Sequence, residues 1–212
     1  EYKNALTLNA GYAIAHQWYS LLLCETGRHE EAVVEAQRAA ELDPLSPIIS
    51  FNLGQILYAA RRYGEARRAI QRTLEVSPDF FPARSYLGQV YLREGKFEES
   101  IAELQKATRL SPRDDATKAM LGHAYALSGR KGDAQGVLGD LKEQSRRRYV
   151  SPYLIAIIYA GLGNRREAFE WLEKAYKERD SELPWIGVEP QLDPLRSDPR
   201  FGDLLGRMNL PK

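Results

Sequence analysis

Apolar residues recur along this chain at spacings of three and four. Leu87, Val90 and Tyr91 mark one helical face, and Ile101, Leu104 and Ala107 mark the next. Tyr2, Ala5 and Leu6 form a similar face at the start with no capping residue ahead, which reads as the second half of a helix in a piece cut from a longer protein. The pattern predicts helix after helix and no strand. A strongly apolar helix is expected around Tyr153, Leu154, Ile155, Ile157 and Ile158, and a weak one where Gly132, Gly136 and Gly139 interrupt the pattern, since each internal glycine costs about 1 kcal/mol against alanine.

The breaks between helices are themselves periodic. Gly27, Arg61, Gly95, Gly129 and Gly163 stand 34 residues apart, Arg61 being the exception to glycine. Small residues recur in the same register: Ser20, Gly54, Gly88, Gly122 and Ala156 in the first helix of each unit, and Ala32, Ala66, Ser100, Ala134 and Ala168 in the second. Ala5, Ala39, Thr73, Ala107, Leu141 and Ala175 stand near the ends of the second helices, and Pro44, Pro78 and Pro112 close three units. Bulk is excluded where helices must cross closely.

This register resembles the tetratricopeptide repeat, whose pattern is Trp-x2-Leu-Gly-x2-Tyr, then Ala, an aromatic, Ala and Pro over 34 residues. Phe81 to Asp114 is the best copy, with Leu87-Gly88, Tyr91, Gly95, Phe97, Ala107 and Pro112 in place. The resemblance covers about nine tenths of the chain and implies an all-α, right-handed α-solenoid. Its units are expected at 13–46, 47–80, 81–114, 115–148 (divergent) and 149–182, after a half unit at 1–12. Residues 183–212 break the period and hold five prolines, so they cannot form one long helix. Asp198-Pro199 starts a helix with an apolar stripe of Phe201, Leu204, Leu205 and Met208, read as a C-terminal cap, with Trp185, Ile186 and Leu192 covering the fifth unit. The run Leu192–Phe201 resembles the tail of repeat arrays in bacterial signalling proteins: winged-helix regulators, nucleotide cyclases and Ser/Thr kinases.

Charge adds little at the scale of the whole molecule. The 30 Lys and Arg residues nearly balance 29 Asp and Glu, so no general field draws the chain to nucleic acid or to an anionic membrane. No apolar run is long enough to span a bilayer, so no membrane insertion is expected, and the location is read as cytoplasmic, or periplasmic in a membrane-anchored parent. Locally, residues 25–43 carry a balance of −4 and residues 61–72 one of +4, and Arg146-Arg147-Arg148 adds a second basic cluster; these are read as solvated faces. His16, His29 and His123 show no metal-ligand spacing, and no phosphate loop or nucleophile motif occurs. His16 and Cys24 lie two turns apart on one helix and are read as a surface histidine and a packed cysteine rather than a metal pair. No enzyme activity, metal or cofactor is expected.

In the family this chain resembles, partners lie along the concave face made by the first helices. The resemblance places Gln17, Leu21, Phe51, Asn52, Gln55, Tyr58, Ser85, Gln89, Leu92, His123, Tyr153 and Ile157 on that face. The lining is apolar and amide-rich, which implies an interaction scaffold for a largely uncharged peptide or protein segment. The clamp that chaperone-binding relatives use for a terminal carboxylate is not matched: Gln17, Leu21, Asn52, Pro82 and Tyr86 stand at its positions, and only Asn52 agrees. Self-association and a small-ligand sensory domain, which would need a closed pocket, are the other readings.

Overall fold

The computed structural model describes residues 1–211. Among the described residues there are twelve α-helices, of which α2 to α11 form five consecutive pairs: α1 (Tyr2–Leu8), α2 (Ala13–Glu25), α3 (His29–Leu42), α4 (Pro47–Ala59), α5 (Tyr63–Val76), α6 (Phe81–Arg93), α7 (Phe97–Leu110), α8 (Asp115–Leu127), α9 (Lys131–Gln144), α10 (Pro152–Gly161), α11 (Arg165–Glu178) and α12 (Pro199–Arg207). Two 3-10 turns, Leu183–Gly187 and Pro190–Leu195, separate the last two helices. No strand occurs among the described residues.

The turns explain the 34-residue punctuation. Gly27, Gly95, Gly129 and Gly163 adopt φ between 76° and 82°, and Arg61 adopts 62° in the same left-handed region. Each residue after them returns an amide to a carbonyl five positions back, as in Arg28 to Leu23 (2.8 Å) and Arg62 to Leu57 (2.9 Å), so the first helix of each pair is closed before the second begins.

Consecutive helices pack along the chain, and the first helices also pack on one another, α2 on α4, α4 on α6, α6 on α8 and α8 on α10, which gives an α-solenoid with a shared inner face. The small residues allow this closeness. A Cβ on Gly54 would stand 2.5 Å from Ile70, and one on Gly88 would stand 2.6 Å from Leu104 and 3.0 Å from the Ser100 carbonyl oxygen, both in the second helix of the same pair. Gly122 differs, because it admits Ile158 of the following pair as well as Val137 of its own.

The helix with three glycines forms in full as α9; Gly132, Gly136 and Gly139 all face open space. The next helix, α10, leans chiefly on α8 and less on α9. It starts at Pro152, where Asp180 accepts bonds from the Ser151 hydroxyl (2.6 Å) and the Tyr153 amide (3.3 Å). A carboxylate from the end of α11 thus caps α10.

The cap reading of residues 183–211 meets a correction. Asp198 caps α12 through the Arg200 amide (3.1 Å), and Phe201, Leu204 and Leu205 are buried with Leu183, Ile186, Leu192 and Leu195 against α10 and α11. Trp185, however, leaves that cluster and packs with the apolar cluster of the first three helix pairs. The two 3-10 turns therefore cross the inner face instead of only closing its end. Arg61 fixes the crossing with two 2.7 Å bonds to Asp193, 132 residues away.

Candidate functional site

The inner face carries the residues expected there, mostly under cover. Gln17, Asn52, Tyr58, Ser85, Gln89, Leu92, His123, Tyr153 and Ile157 are buried, and Leu21, Phe51 and Gln55 are half-buried. Part of this cover is ordinary packing. Asn52 accepts from the Ser20 hydroxyl (3.1 Å) and Ser85 shares a 2.7 Å bond with Thr117, so these polar side chains join neighbouring first helices. The single match to the chaperone clamp, Asn52, thus has a structural employment.

The aromatic part of the face is covered by α6 and the residue before it, and the 3-10 segment lies opposite Gln55, Tyr153 and Ile157. Phe51 sets its ring edge-on to Phe80 and Tyr86 (centroids 5.6 and 5.3 Å), Tyr58 does the same with Tyr86 (5.6 Å), and Gln55 donates to the Tyr86 hydroxyl (2.9 Å). Trp185 packs on the same apolar cluster and lines one cavity with Tyr86. Between tail and helices remains a cavity of about 50 Å³, bounded by Gln55, Tyr86, Ala119, Met120, Tyr153 and Ile157 on one side and by Glu182, Trp185, Glu189 and Gln191 on the other.

The floor is electrostatically unusual. The Tyr58 hydroxyl, both amide atoms of Gln89, Nδ1 of His123 and the Tyr153 hydroxyl are buried without a well-formed hydrogen bond, as are Nε and Nη2 of Arg93, although Arg93 stands near Tyr58 and the Gln191 backbone near His123. One or more such groups comes from each of α4, α6, α8 and α10, so they form a row across the inner face. Each buried polar group left in this state costs on the order of 1–3 kcal/mol. Burial lowers the His123 pKa to about 3, with Arg93 adding to the shift, so the ring is neutral at pH 7. Burial also raises the Glu189 carboxyl above its ordinary value despite Arg93 nearby, and does the same at Glu182.

Other candidates for chemistry are engaged or suppressed. His16 is buried, not on the surface as its sequence suggested; its ring meets Glu35 (2.5 Å) and the Ala10 carbonyl (3.1 Å). Burial pushes the Cys24 thiol up to about 12, which leaves it without thiolate character. No cluster of metal-binding side chains occurs among the described residues. The charged faces pair within the chain: Arg148 grips Asp115 (2.5 and 2.7 Å), Arg146 and Arg147 meet Glu143, and Arg67 meets Glu94 (3.3 Å).

Sequence reasoning did not find Tyr86, Arg93, Trp185, Glu189 and Gln191 as parts of this site. One signal pointed to them: an arginine where the other four turns have glycine implies a side chain whose use outweighs left-handed strain.

Two tetratricopeptide-repeat family models match the chain, at residues 51–115 and 153–181. No curated protein matches it by sequence. Among solved structures, TTC0263, a thermophilic TPR protein of Thermus thermophilus, is 19% identical with a TM-score of 0.67, covering 91% of this chain and 98% of its own. YrrB, described as a TPR protein with an unusual peptide-binding site, is 23% identical with a TM-score of 0.53, covering 88% of this chain and 97% of its own. MamA is 19% identical with a TM-score of 0.54, covering 83% and 87%. These likenesses speak to the fold, and the two family models identify tetratricopeptide repeats at residues 51–115 and 153–181, within the 34-residue register of the chain.

Proposed function

We propose that the chain is a non-catalytic interaction scaffold that takes a peptide or protein segment along its inner face, as part of a larger bacterial signalling or regulatory protein. The observation that carries this reading is that the inner face already accommodates an irregular protein segment, residues 183–195, whose Trp185 packs on the apolar cluster of the early pairs and shares a cavity lining with Tyr86. The solved structure of YrrB, described as having a peptide-binding site, supports the same use of the fold. The suppressed Cys24 thiol, the neutral His123 and the engaged His16 are poorly suited to acid–base or nucleophilic work. No helix among the described residues is long and apolar enough to cross a membrane, which agrees with the cytoplasmic reading and with periplasmic placement alike.

The test is panning of displayed peptides against the chain, with and without its tail opened. Selected peptides should lose about 2 kcal/mol of affinity, roughly thirty-fold, in Phe51→Ala, change little in Arg68→Ala, and depend weakly on salt. Failure of both forms to select any peptide would overturn the scaffold reading.

Self-association is the second reading, favoured by one observation. Ile14, Trp18 and Leu22 form an exposed stripe on α2, whereas Ile56, Val90, Ala124 and Ile158, which stand in register with Leu22 in the later units, are buried. Light scattering across a concentration series decides it.

A further inference from the structure

We propose that residues 183–195 are a tethered stand-in for the partner, closing the inner face until a segment with an aromatic residue and, one turn later, a neutral amide displaces Trp185 and Glu189. This rests on the scaffold reading and adds to it the partner's chemistry and its regulation.

The stand-in is a compact unit. The Glu189 amide donates to the Trp185 carbonyl (2.9 Å), so Trp-x-x-x-Glu forms a single turn with both side chains at the inner face. Trp185 supplies the anchor, packing on the apolar cluster of the early helix pairs and lining one cavity with Tyr86, 99 residues upstream in sequence. It is only half-buried, and the Arg61–Asp193 latch is about 40% exposed on both sides, so an incoming segment can reach both.

The fit is apolar where Trp185 lies and poor beyond it. Beneath the tail the Gln89 amide and the Tyr153 hydroxyl make no hydrogen bond, Oε1 of the tail's own Gln191 is likewise unpartnered, and the Tyr58 hydroxyl and the His123 ring have Arg93 and the Gln191 backbone, respectively, near them without good hydrogen-bond geometry. These protein groups are neutral donors and acceptors, and a side-chain amide answers both kinds at once. The tail brings a carboxylate instead, and burial disfavours its charge. Arg93 lies near without an ion pair to Glu189, and the carboxylate's one hydrogen bond is from the Gln191 amide of its own turn (3.1 Å), a bond that a glutamine carbonyl keeps. A segment with the same anchor and glutamine in the place of Glu189 therefore has more to gain from this floor than the tail does. The tail has the advantage of being attached, which raises its local concentration.

The experiment uses a fluorescent peptide of residues 181–197 as probe, added to the full chain and to its Trp185→Ala variant, with circular dichroism to verify folding. The variant should bind the peptide at least ten-fold more tightly than the intact chain, and a peptide carrying Glu189→Gln should bind about three-fold more tightly again at pH 7. A peptide lacking the tryptophan should not bind. Asp193→Asn, which weakens the exposed latch to Arg61 together with the local pair to Arg196, gives a second opened form in case Trp185→Ala does not fold, and should bind at least three-fold more tightly than the intact chain. Equal binding to intact and opened chains would overturn the gating while leaving the scaffold reading untouched. Folded variants that bind neither peptide would overturn the proposal, and the panning result then decides the scaffold reading separately.

Discussion

Replacing Arg61 by glycine separates two effects that its side chain combines. A side chain held at φ 62° is strained by about 1–2 kcal/mol, and the four equivalent turns avoid this with glycine. Against that strain stands the two-pronged pair with Asp193, both bonds 2.7 Å long. With both side chains about 40% exposed, such a pair contributes about 1 kcal/mol, at the upper end for surface pairs because it is bidentate. Asp193 keeps Arg196 as a second partner at 2.8 Å, which limits the loss further. The two changes nearly cancel, so Arg61→Gly should move the melting temperature by no more than about 2–4 °C. The tail alone feels only the loss. Hydrogen exchange of backbone amides in residues 189–196, such as Leu192 bonded to the Glu189 carbonyl (3.2 Å), should accelerate by about five-fold. Arg61→Ala keeps the strain and loses the pair, and should be less stable than Arg61→Gly by about 1 kcal/mol. Unchanged exchange in the tail, or equal stability of the two variants, would refute the reasoning.

The glycines of α9 and α6 should respond in opposite directions to alanine. Gly136→Ala and Gly139→Ala meet open space and should each stabilise by up to about 1 kcal/mol, whereas Gly88→Ala pushes against Leu104 and the Ser100 carbonyl and should destabilise by about 1–3 kcal/mol in denaturant titrations. Removal of residues 183–211 uncovers Leu154, Ile158 and the neighbouring apolar surface of α10 and α11 and should cause aggregation in light scattering; a monomeric truncation of equal stability would show that the tail is dispensable. Glu189→Gln should raise stability at pH 7. Because the folded state holds the Glu189 proton more tightly than the unfolded state does, the carboxylate destabilises at neutral pH, and that effect fades as pH falls through the raised pKa. A gain that did not shrink on acidification, read as melting temperature against pH, would place its origin elsewhere.

The helices were legible because their signal is local and repeated. Left-handed turns demand glycine, close crossings exclude bulk at Gly54 and Gly88, and a 34-residue register shows both several times over. The inner-face residues followed from that register as positions, but their surroundings did not. Gln89 and His123 stand where an open groove would show them to solvent, yet both are buried, His123 between Gly161 of α10 and the Gln191 backbone of a segment that belongs to no repeat. Its course depends on contacts such as Arg61–Asp193, where neither residue is unusual for its neighbourhood except that arginine replaces glycine. The α9 glycines were legible as a weakness but not as a surface, since periodicity gives propensity while exposure depends on where the fifth pair leans. His16 shows the same limit: nothing near it in sequence foretold a carboxylate from Glu35 on the next helix at 2.5 Å.

The tail also changes what kind of solenoid this is. In an open array each unit touches only its neighbours, so stability is close to a sum of unit and interface terms and the ends fray independently. Here Trp185 joins the apolar cluster of the first three pairs, Asp193 holds the turn after α4, and Leu192 and Leu195 stay buried against the last pairs. The segment is thus a strut between distant units, and its release removes contacts at both ends together. Docking of the tail and the spacing of the helix pairs are consequently linked: whatever favours one arrangement of the inner face favours or opposes the docked tail by the same free energy. A solenoid closed in this way has one segment in contact with α2 at one end and buried with α12 at the other.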